Sequence, residues 1–375
     1  MPRIVGRSGR DEGMIQPTCV VVLAAGEGTR MRSARPKPLH HLCGRPMVVH
    51  VLDATATGDD VVATVIVIGH GAEWVEQAVT ERAASETLRF VEQHEQLGTG
   101  HAVSVALPTI DEIMGDREGH VLIVPGDTPL LRASTIQALL TQHEESGAAL
   151  TVLTAVVDEP SGYGRIIYGR DGKVAKIIEE RDASETERQI HEINTSIMVV
   201  RRSLLGAGLR MVGRKNAQNE YYLTDLISVL YEGGHLTRSF VLEDASEAAG
   251  VNDRAQLASA ERELRRRIND RWLRRGVTMW DPATTYIDSD VQLSPDVSLL
   301  PGTILKGHTQ IGGGAQIGPN AFLTDVVIGE RAVVGTVEAT GVTVGAGAQV
   351  DSFVVLEPGQ LIAEAARVSA GPNNS

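Results

Sequence analysis

The spacing of apolar and polar positions changes twice along this chain. Over roughly its first two thirds, continuous aliphatic runs alternate with stretches of helical spacing. TCVVVLAA (18–25), VVATVIVIG (61–69), LRFVEQ (88–93), HVLIVPGD (120–127) and AALTVLTAVV (148–157) are short runs rich in β-branched residues. Runs of that kind are the mark of strands buried on both faces. Between them PMVVHVLDATA (46–56), AEWVEQAVTERA (72–83), GTGHAVSVAL (98–107) and STIQALLTQHEES (134–146) have the period of helices. Such alternation predicts a doubly wound α/β sheet, mostly parallel, with helices on both faces.

After Asn252 the style changes. DRAQLASAERELRRRINDRWLRRG (253–276) is dense in Arg and Glu at helical spacing and reads as one solvated connector helix closed by Gly276. Its arginines read as a solvent-facing stripe, with a functional basic patch as the alternative. From about Asp281 an aliphatic residue recurs at every sixth position: Ile287, Leu293, Leu299, Leu305, Ile311, Ile317 and Leu323. After a slip of one residue the period resumes at Ile328 and Val334. After a longer gap it resumes at Val344, Val350, Leu356, Ile362 and Val368. Six fits neither a helix nor an alternating strand. It fits short flat strands around a three-sided prism, with one inward aliphatic per face and about 18 residues per coil. The expected organisation is an extension over 1–17, a domain over 18–252, a connector over 253–280 and a prism over 281–375.

Composition narrows this picture only a little. With 42% apolar and 22% charged residues the chain reads as a soluble globular protein. At 375 residues it is longer than one core usually organises. The formal charge of −13 argues against general nucleic-acid binding, although a pocket can still be locally positive. Cys19 and Cys43 have no metal spacing and read as inert core thiols. No stretch is apolar for long enough to span a membrane, and the N-terminal residues lack the apolar centre of a secretory signal. A cytoplasmic location is the expectation.

Against that acidic background, LAAGEGTRMRSARPKPLH (23–40) is unusual. The first strand ends in Gly26 and Gly28, and Arg30, Arg32, Arg35 and Lys37 follow. A glycine turn after a strand frees backbone N–H groups to converge on phosphate oxygens. Arg30 and Lys37 can fold onto the same phosphates, one as a fork and one as a point charge. The P-loop and GxGxxG spacings are absent, and an ordinary basic surface loop is the alternative. Asp127, after Gly126 at the end of the fourth strand, stands at the edge where parallel sheets bind ligands. Its carboxylate suits Mg²⁺ on a triphosphate, or else it caps the helix expected near Leu131. Gln93, Gln96, Gly98 and Thr99 offer amides and a glycine turn to a base. Gly164, at an expected hairpin, with Glu179 and Asn194, offers partners to sugar hydroxyls.

LAAGEGTRMRSARPKPL resembles the LxxGxGTxM…PK signature of sugar nucleotidyltransferases. EQLGTGHA, GDTPL, GYGRI, EINTSI, NEYYLTD (219–225) and GVNDRAQL (250–257) follow in that family's order. With the hexapeptide tail, residues 18–355 resemble the bacterial bifunctional enzyme of UDP-N-acetylglucosamine synthesis. The resemblance implies a Rossmann-like nucleotidyltransferase domain, a connector helix and a short left-handed parallel β-helix of hexapeptide repeats. It implies uridylyl transfer from UTP to N-acetylglucosamine 1-phosphate with Mg²⁺, for cell-wall synthesis. Arg30 and Lys37 would stabilise charge at the α-phosphorus, while Asp127 and Asn252 hold the metal. Leu23, Ala25, Gly26, Gln93, Gln96, Gly98 and Thr99 would contact uridine. Gly164, Glu179, Asn194 and Thr224 would contact the sugar, with Asn252 also among the binding residues. Relatives form trimers through the prism, so a homotrimer is expected.

Three departures stand out. Pro125 replaces a frequent Tyr, and Glu27 adds a negative charge to the glycine turn. Glu357 in LEPG (356–359) stands where relatives carry an arginine in the part that transfers acetyl groups. The sequence ends at VSAGPNNS (368–375), without counterparts to further basic, His and Tyr residues of the acetyl site. Acetyl transfer is therefore expected to be absent. Another hexose 1-phosphate as acceptor, or a non-catalytic sugar-nucleotide-binding regulator, are the alternatives.

Overall fold

The computed structural model describes residues 16–56, 60–83 and 87–369. All but the last two residues of the expected 1–17 extension lie outside them. The chain divides into two compact units. One comprises residues up to Pro38 with Val48–Gly250, and the other Leu39–Met47 with Val251–Ser375. The second unit thus takes in a short hairpin, His41–Leu42 with Arg45–Pro46, from sequence expected in the first domain.

The first unit is built on a nine-stranded mixed sheet. Along its main path the order is 237–241, 150–156, 192–201, 120–125, 18–23, 61–68 and 88–92. Strands Thr18–Leu23, Val61–Ile68, Leu88–Glu92 and His120–Pro125 are mutually parallel, as the buried β-branched runs predict. Glu192–Arg201 departs from the mostly parallel expectation. It runs antiparallel to both of its neighbours, His120–Pro125 and Leu150–Val156. A further pair, Arg165–Tyr168 and Val174–Ile178, forms an antiparallel hairpin beside it. Gly164 precedes this hairpin rather than forming its turn. The core is aliphatic: Val20, Val21 and Val22 of the first strand and Val121, Leu122, Ile123 and Val124 of its neighbour are fully buried.

The second unit carries the prism. Three parallel sheets of two- and three-residue strands run along it, one for each face. All the predicted positions from Ile287 to Val350 are inward and buried, and they form one continuous core. The longer gap in the six-residue repeat is filled by Ala339 in the strand Glu338–Thr340, which is 3% exposed. A methyl group occupies the inward slot there, and its small size hid the position from an aliphatic count. Three inward spacings are five residues rather than six (Leu323 to Ile328, Val334 to Ala339 and Ala339 to Val344), so the coil shortens from 18 residues to 17 and then 16. Ile304 pairs with Phe322, Gln310 with Val327 and Phe322 with Glu338, so the ladder keeps its inward register across the deletions. Leu356 lies between strands rather than in one. The connector helix spans Arg254–Arg274, capped by the Asp253 side chain on the Gln256 N–H.

Both thiols are buried, as expected of inert core cysteines. Burial pushes Cys19 up to about 12. It also raises Cys43, whose N–H and thiol both face Glu261.

Candidate active site

The site follows from topology. From the first strand the chain moves outward to 61–68 and 88–92, then returns to the other side at 120–125. The crevice at such a reversal, outside the carboxyl ends of the strands, is where open α/β sheets bind ligands. Leu23 is in register with Pro125, so the glycine turn and Gly126–Asp127 leave the sheet at one level. The Gly126 N–H donates to the Leu23 carbonyl at 2.8 Å, tying the two loops together. A Cβ at Gly69 would lie 2.7 Å from the Ala25 carbonyl, and one at Gly126 would lie 3.1 Å from that of Leu23. Bare backbone on both neighbours thus makes room for the turn, a role that sequence spacing did not reveal.

Within the turn, Gly28 adopts a left-handed conformation (φ 65°) and begins the 3-10 turn Thr29–Met31. Met31 is buried and anchors this turn, while Arg30 is exposed on it. A Cβ at Gly28 would sit 2.5 Å from the Lys37 Cβ, so Lys37 folds directly back over the glycine. Its ammonium forms an ion pair with the Asp127 carboxylate across ninety residues of sequence. The Lys37 side chain is 13% exposed and that of Asp127 25%, so this is not a solvated loop contact. Nor does Asp127 cap the following helix. That helix begins at Ala133, with Arg132 in the capping position and no side-chain cap. Gly26 is exposed, and a Cβ there would meet nothing within 4 Å, so its backbone faces open space.

The residues expected at the base lie on the same edge. Gln96 donates from Nε2 to the Ala25 carbonyl at 2.8 Å, joining its loop to the glycine turn. Buried Gln93 has its Nε2 3.2 Å from the Gly98 carbonyl and 3.0 Å from His101 Nδ1. Both contacts fix the amide so that Oε1 is its remaining acceptor. Gly98 has φ 109°, and a Cβ there would be 2.6 Å from the Tyr221 carbonyl. Residues 97–100 pair with Tyr221 through the Tyr221 N–H to Leu97 and the Gly100 N–H to Tyr221. The Leu223 N–H donates to Thr99 Oγ1 at 3.1 Å. NEYYLTD therefore closes over the GTG turn, although the two are far apart in sequence.

The residues expected at the sugar also converge. Thr224 Oγ1 donates to Glu179 Oε1 at 3.0 Å, and the Asn194 N–H donates to the Gly164 carbonyl at 2.8 Å. A Cβ at Gly164 would approach Glu179 Oε2 at 3.3 Å and the Asn194 Cβ at 3.5 Å. Burial raises the Glu179 carboxyl above its ordinary value. The Thr224 hydrogen bond opposes this, and the charges of Asp225 and Asp182 add to it. Tyr163, next to Gly164, is raised by burial and then by the charge of Asp127. The Asp127 carboxylate thus lies close enough to act on this phenol, a proximity that only the fold shows. Asn252 falls outside the first unit. It belongs to the second unit, where its N–H donates to Gln256 Oε1 at 2.7 Å.

Residues 20–215 match the family model of the MobA-like NTP transferase domain. The chain is 43% identical over 348 residues to the bifunctional protein GlmU of Exiguobacterium sp., covering 93% of this chain and 75% of that relative. Against the protein of that name from Streptococcus mutans the identity is 42%, over 93% of this chain and 74% of the relative. Against that of Shouchella clausii it is 45%, over 73% and 58% respectively.

Proposed function

The chain belongs to the bifunctional GlmU family, and on that premise we propose that it makes UDP-N-acetylglucosamine from UTP and N-acetylglucosamine 1-phosphate. It is a nucleotidyltransferase of the sugar-nucleotide kind. The observation that carries the reading is the meeting of Lys37 with Asp127 beside a glycine turn at the sheet's reversal point.

In this reading a phosphate oxygen of the sugar phosphate attacks the α-phosphorus in line. The bond from that phosphorus to the β-phosphate oxygen breaks, and pyrophosphate leaves. The protein positions two anions and offsets their charge, without covalent work of its own. Backbone N–H groups of the glycine turn and the Arg30 guanidinium receive the triphosphate. Gln93 Oε1 and the turn at Gly98–Thr99 meet the base. Glu179, Asn194 and Thr224 meet the sugar. Asp127 already accepts a cation, the Lys37 ammonium, and its carboxylate is the hard oxygen donor that Mg²⁺ prefers. Mg²⁺ held there would neutralise charge on the triphosphate. Lys37, released from Asp127, turns to the α-phosphate. Release of pyrophosphate, measured with each nucleoside triphosphate against a panel of hexose 1-phosphates, tests the proposal. Turnover is expected to be highest with UTP and N-acetylglucosamine 1-phosphate; a higher rate with another pair refutes it.

We also infer that this chain does not transfer acetyl groups. Exposed Glu357 places an anion where the resemblance leads one to expect a cation for an anionic cofactor. Free thiol appearing from acetyl-CoA with glucosamine 1-phosphate would overturn this. A homotrimer is the assembly we expect in solution, and light scattering of the purified chain tests it.

A further inference from the structure

Within the second unit, one face of the prism differs from the others. On two faces the outward positions of the first coils are mostly polar: Ser298 and Gln316 on one, Gln292 and Gln310 on the next. On the third face the outward column reads Tyr286, Ile304, Phe322, paired in register. Their neighbours Ile287, Leu305 and Leu323 point inward and are buried, which fixes the column as outward. Coils are spaced by about 4.8 Å, so two steps give an apolar strip of about 10 Å. The column floors a cleft of about 540 Å³ walled by the connector helix and the 41–46 hairpin.

The charged groups around this cleft are not equivalent. Glu261 is occupied: the Cys43 N–H donates to its Oε2 at 2.8 Å, and the thiol lies 3.5 Å from Oε1. Asp288 accepts the Gly307 N–H at 3.1 Å and is pressed by Gly44, where a Cβ would lie 2.6 Å from its carboxyl carbon. Arg265 and Lys306 are held otherwise. The Arg265 guanidinium carbon stacks 4.1 Å from the Tyr286 ring centre, and Lys306 Nζ lies 5.5 Å from that of Phe322. Among the described residues neither forms an ion pair with a carboxylate. A ring face orients a cation but leaves its N–H donors directed elsewhere. Each carboxylate accepts a backbone N–H, and the Lys306 charge also acts on Asp288, but both cations keep N–H donors for a ligand.

We propose that this cleft binds a flat organic anion, an aromatic sulfonate, carboxylate or phosphate, with its ring on Ile304 and its acidic group between Arg265 and Lys306. The cleft is lined by residues of the second unit alone, and the proposal does not rest on the proposed reaction. Titration of the full chain with anilinonaphthalene sulfonate, read by fluorescence, tests it. One saturable site per chain is expected, undisturbed by excess UTP and Mg²⁺. Arg265→Gln and Lys306→Gln should each weaken it about tenfold, the loss of one charge-assisted contact. Phe322→Ala should weaken it too, and Arg331→Gln, elsewhere on the prism, should leave it unchanged. Lys306 is exposed, so its variant tests the idea without disturbing the core, and thermal melts confirm folding of each variant. Absence of a saturable site, equal affinity in the Arg265 and Lys306 variants, or displacement by UTP would each overturn the proposal.

Discussion

Replacing Gly28 with Ala tests whether the glycine turn sets the position of the Lys37 ammonium, to which the proposed function gives a catalytic role. Gly28 sits at φ 65° and ψ 35°. An L-residue held in that left-handed region costs about 1–2 kcal/mol. The new methyl would stand 2.5 Å from the Lys37 Cβ. Ordinary carbon contacts lie at about 3.5–4.0 Å, so one of the two must yield by about 1 Å. The atom in the way is a Cβ, which cannot swing aside without moving the backbone at Lys37. The Lys37–Asp127 pair therefore shifts. Misplacement by about 1 Å costs about a hundredfold in rate where positioning is the main source of catalysis. The strain should lower the melting temperature by about 2–8 °C, taking 2–4 °C per kcal/mol for a unit of this size. Pyrophosphate release at saturating UTP, paired with thermal melts, reads both quantities. Gly213→Ala is the control, because a Cβ there meets nothing within 4 Å and its φ is not positive. A Gly28→Ala protein with turnover within about threefold of the parent would refute the argument, since positional effects of this kind are larger.

Other consequences follow from individual side chains. Lys37→Ala should lower kcat by about 100- to 1000-fold with little change in KM for UTP, the loss of one preorganised charge at the reacting phosphorus; a change confined to KM would contradict that role. His120 and His143 pack edge to face at 4.6 Å, and both are held neutral. Burial lowers both. Arg201 adds to this for each, and His120 lowers His143 further, to about 3. Because their folded values lie below 6.5, the unfolded chain takes up protons first, so stability is full above that pH and declines as pH falls below it. His143→Leu should flatten the fall of melting temperature between about pH 6.5 and pH 5, and an unchanged slope would exclude the pair as its source. The raised Glu179 carboxyl should protonate earlier on acidification than an ordinary glutamate, so KM for the sugar phosphate should rise as pH falls, and Glu179→Gln should remove that dependence. Asn252→Ala probes the metal role that the resemblance gives it; an unaltered Mg²⁺ requirement would remove the assignment.

Much of the site was legible because its parts are local. A strand that stops in glycines, a cation a few residues later and a Gly-Asp at another strand end are all short-range signals. The six-residue repeat was legible for the same reason: each inward position is set by the strand that bears it. What failed did so where size or distance carried the information. Ala339 fills a slot in the prism but reads as a gap. The antiparallel insertion of Glu192–Arg201 is chosen by pairing partners, which its own buried run does not name. The clearance at Gly69, the Tyr221 backbone docked on the GTG turn and the His101 contact to Gln93 all join segments that periodicity treats separately.

The sequence by itself determined the order of elements, the presence of a prism and the residue types available for phosphate chemistry, because those depend on spacing within a few turns of chain. Only the tertiary structure decided that Lys37 meets Asp127, that NEYYLTD closes on the GTG turn, and that one prism face carries an aromatic strip beneath two cations. Those are contacts between distant segments, fixed by sheet order and coil register, and no local pattern of side chains encodes them.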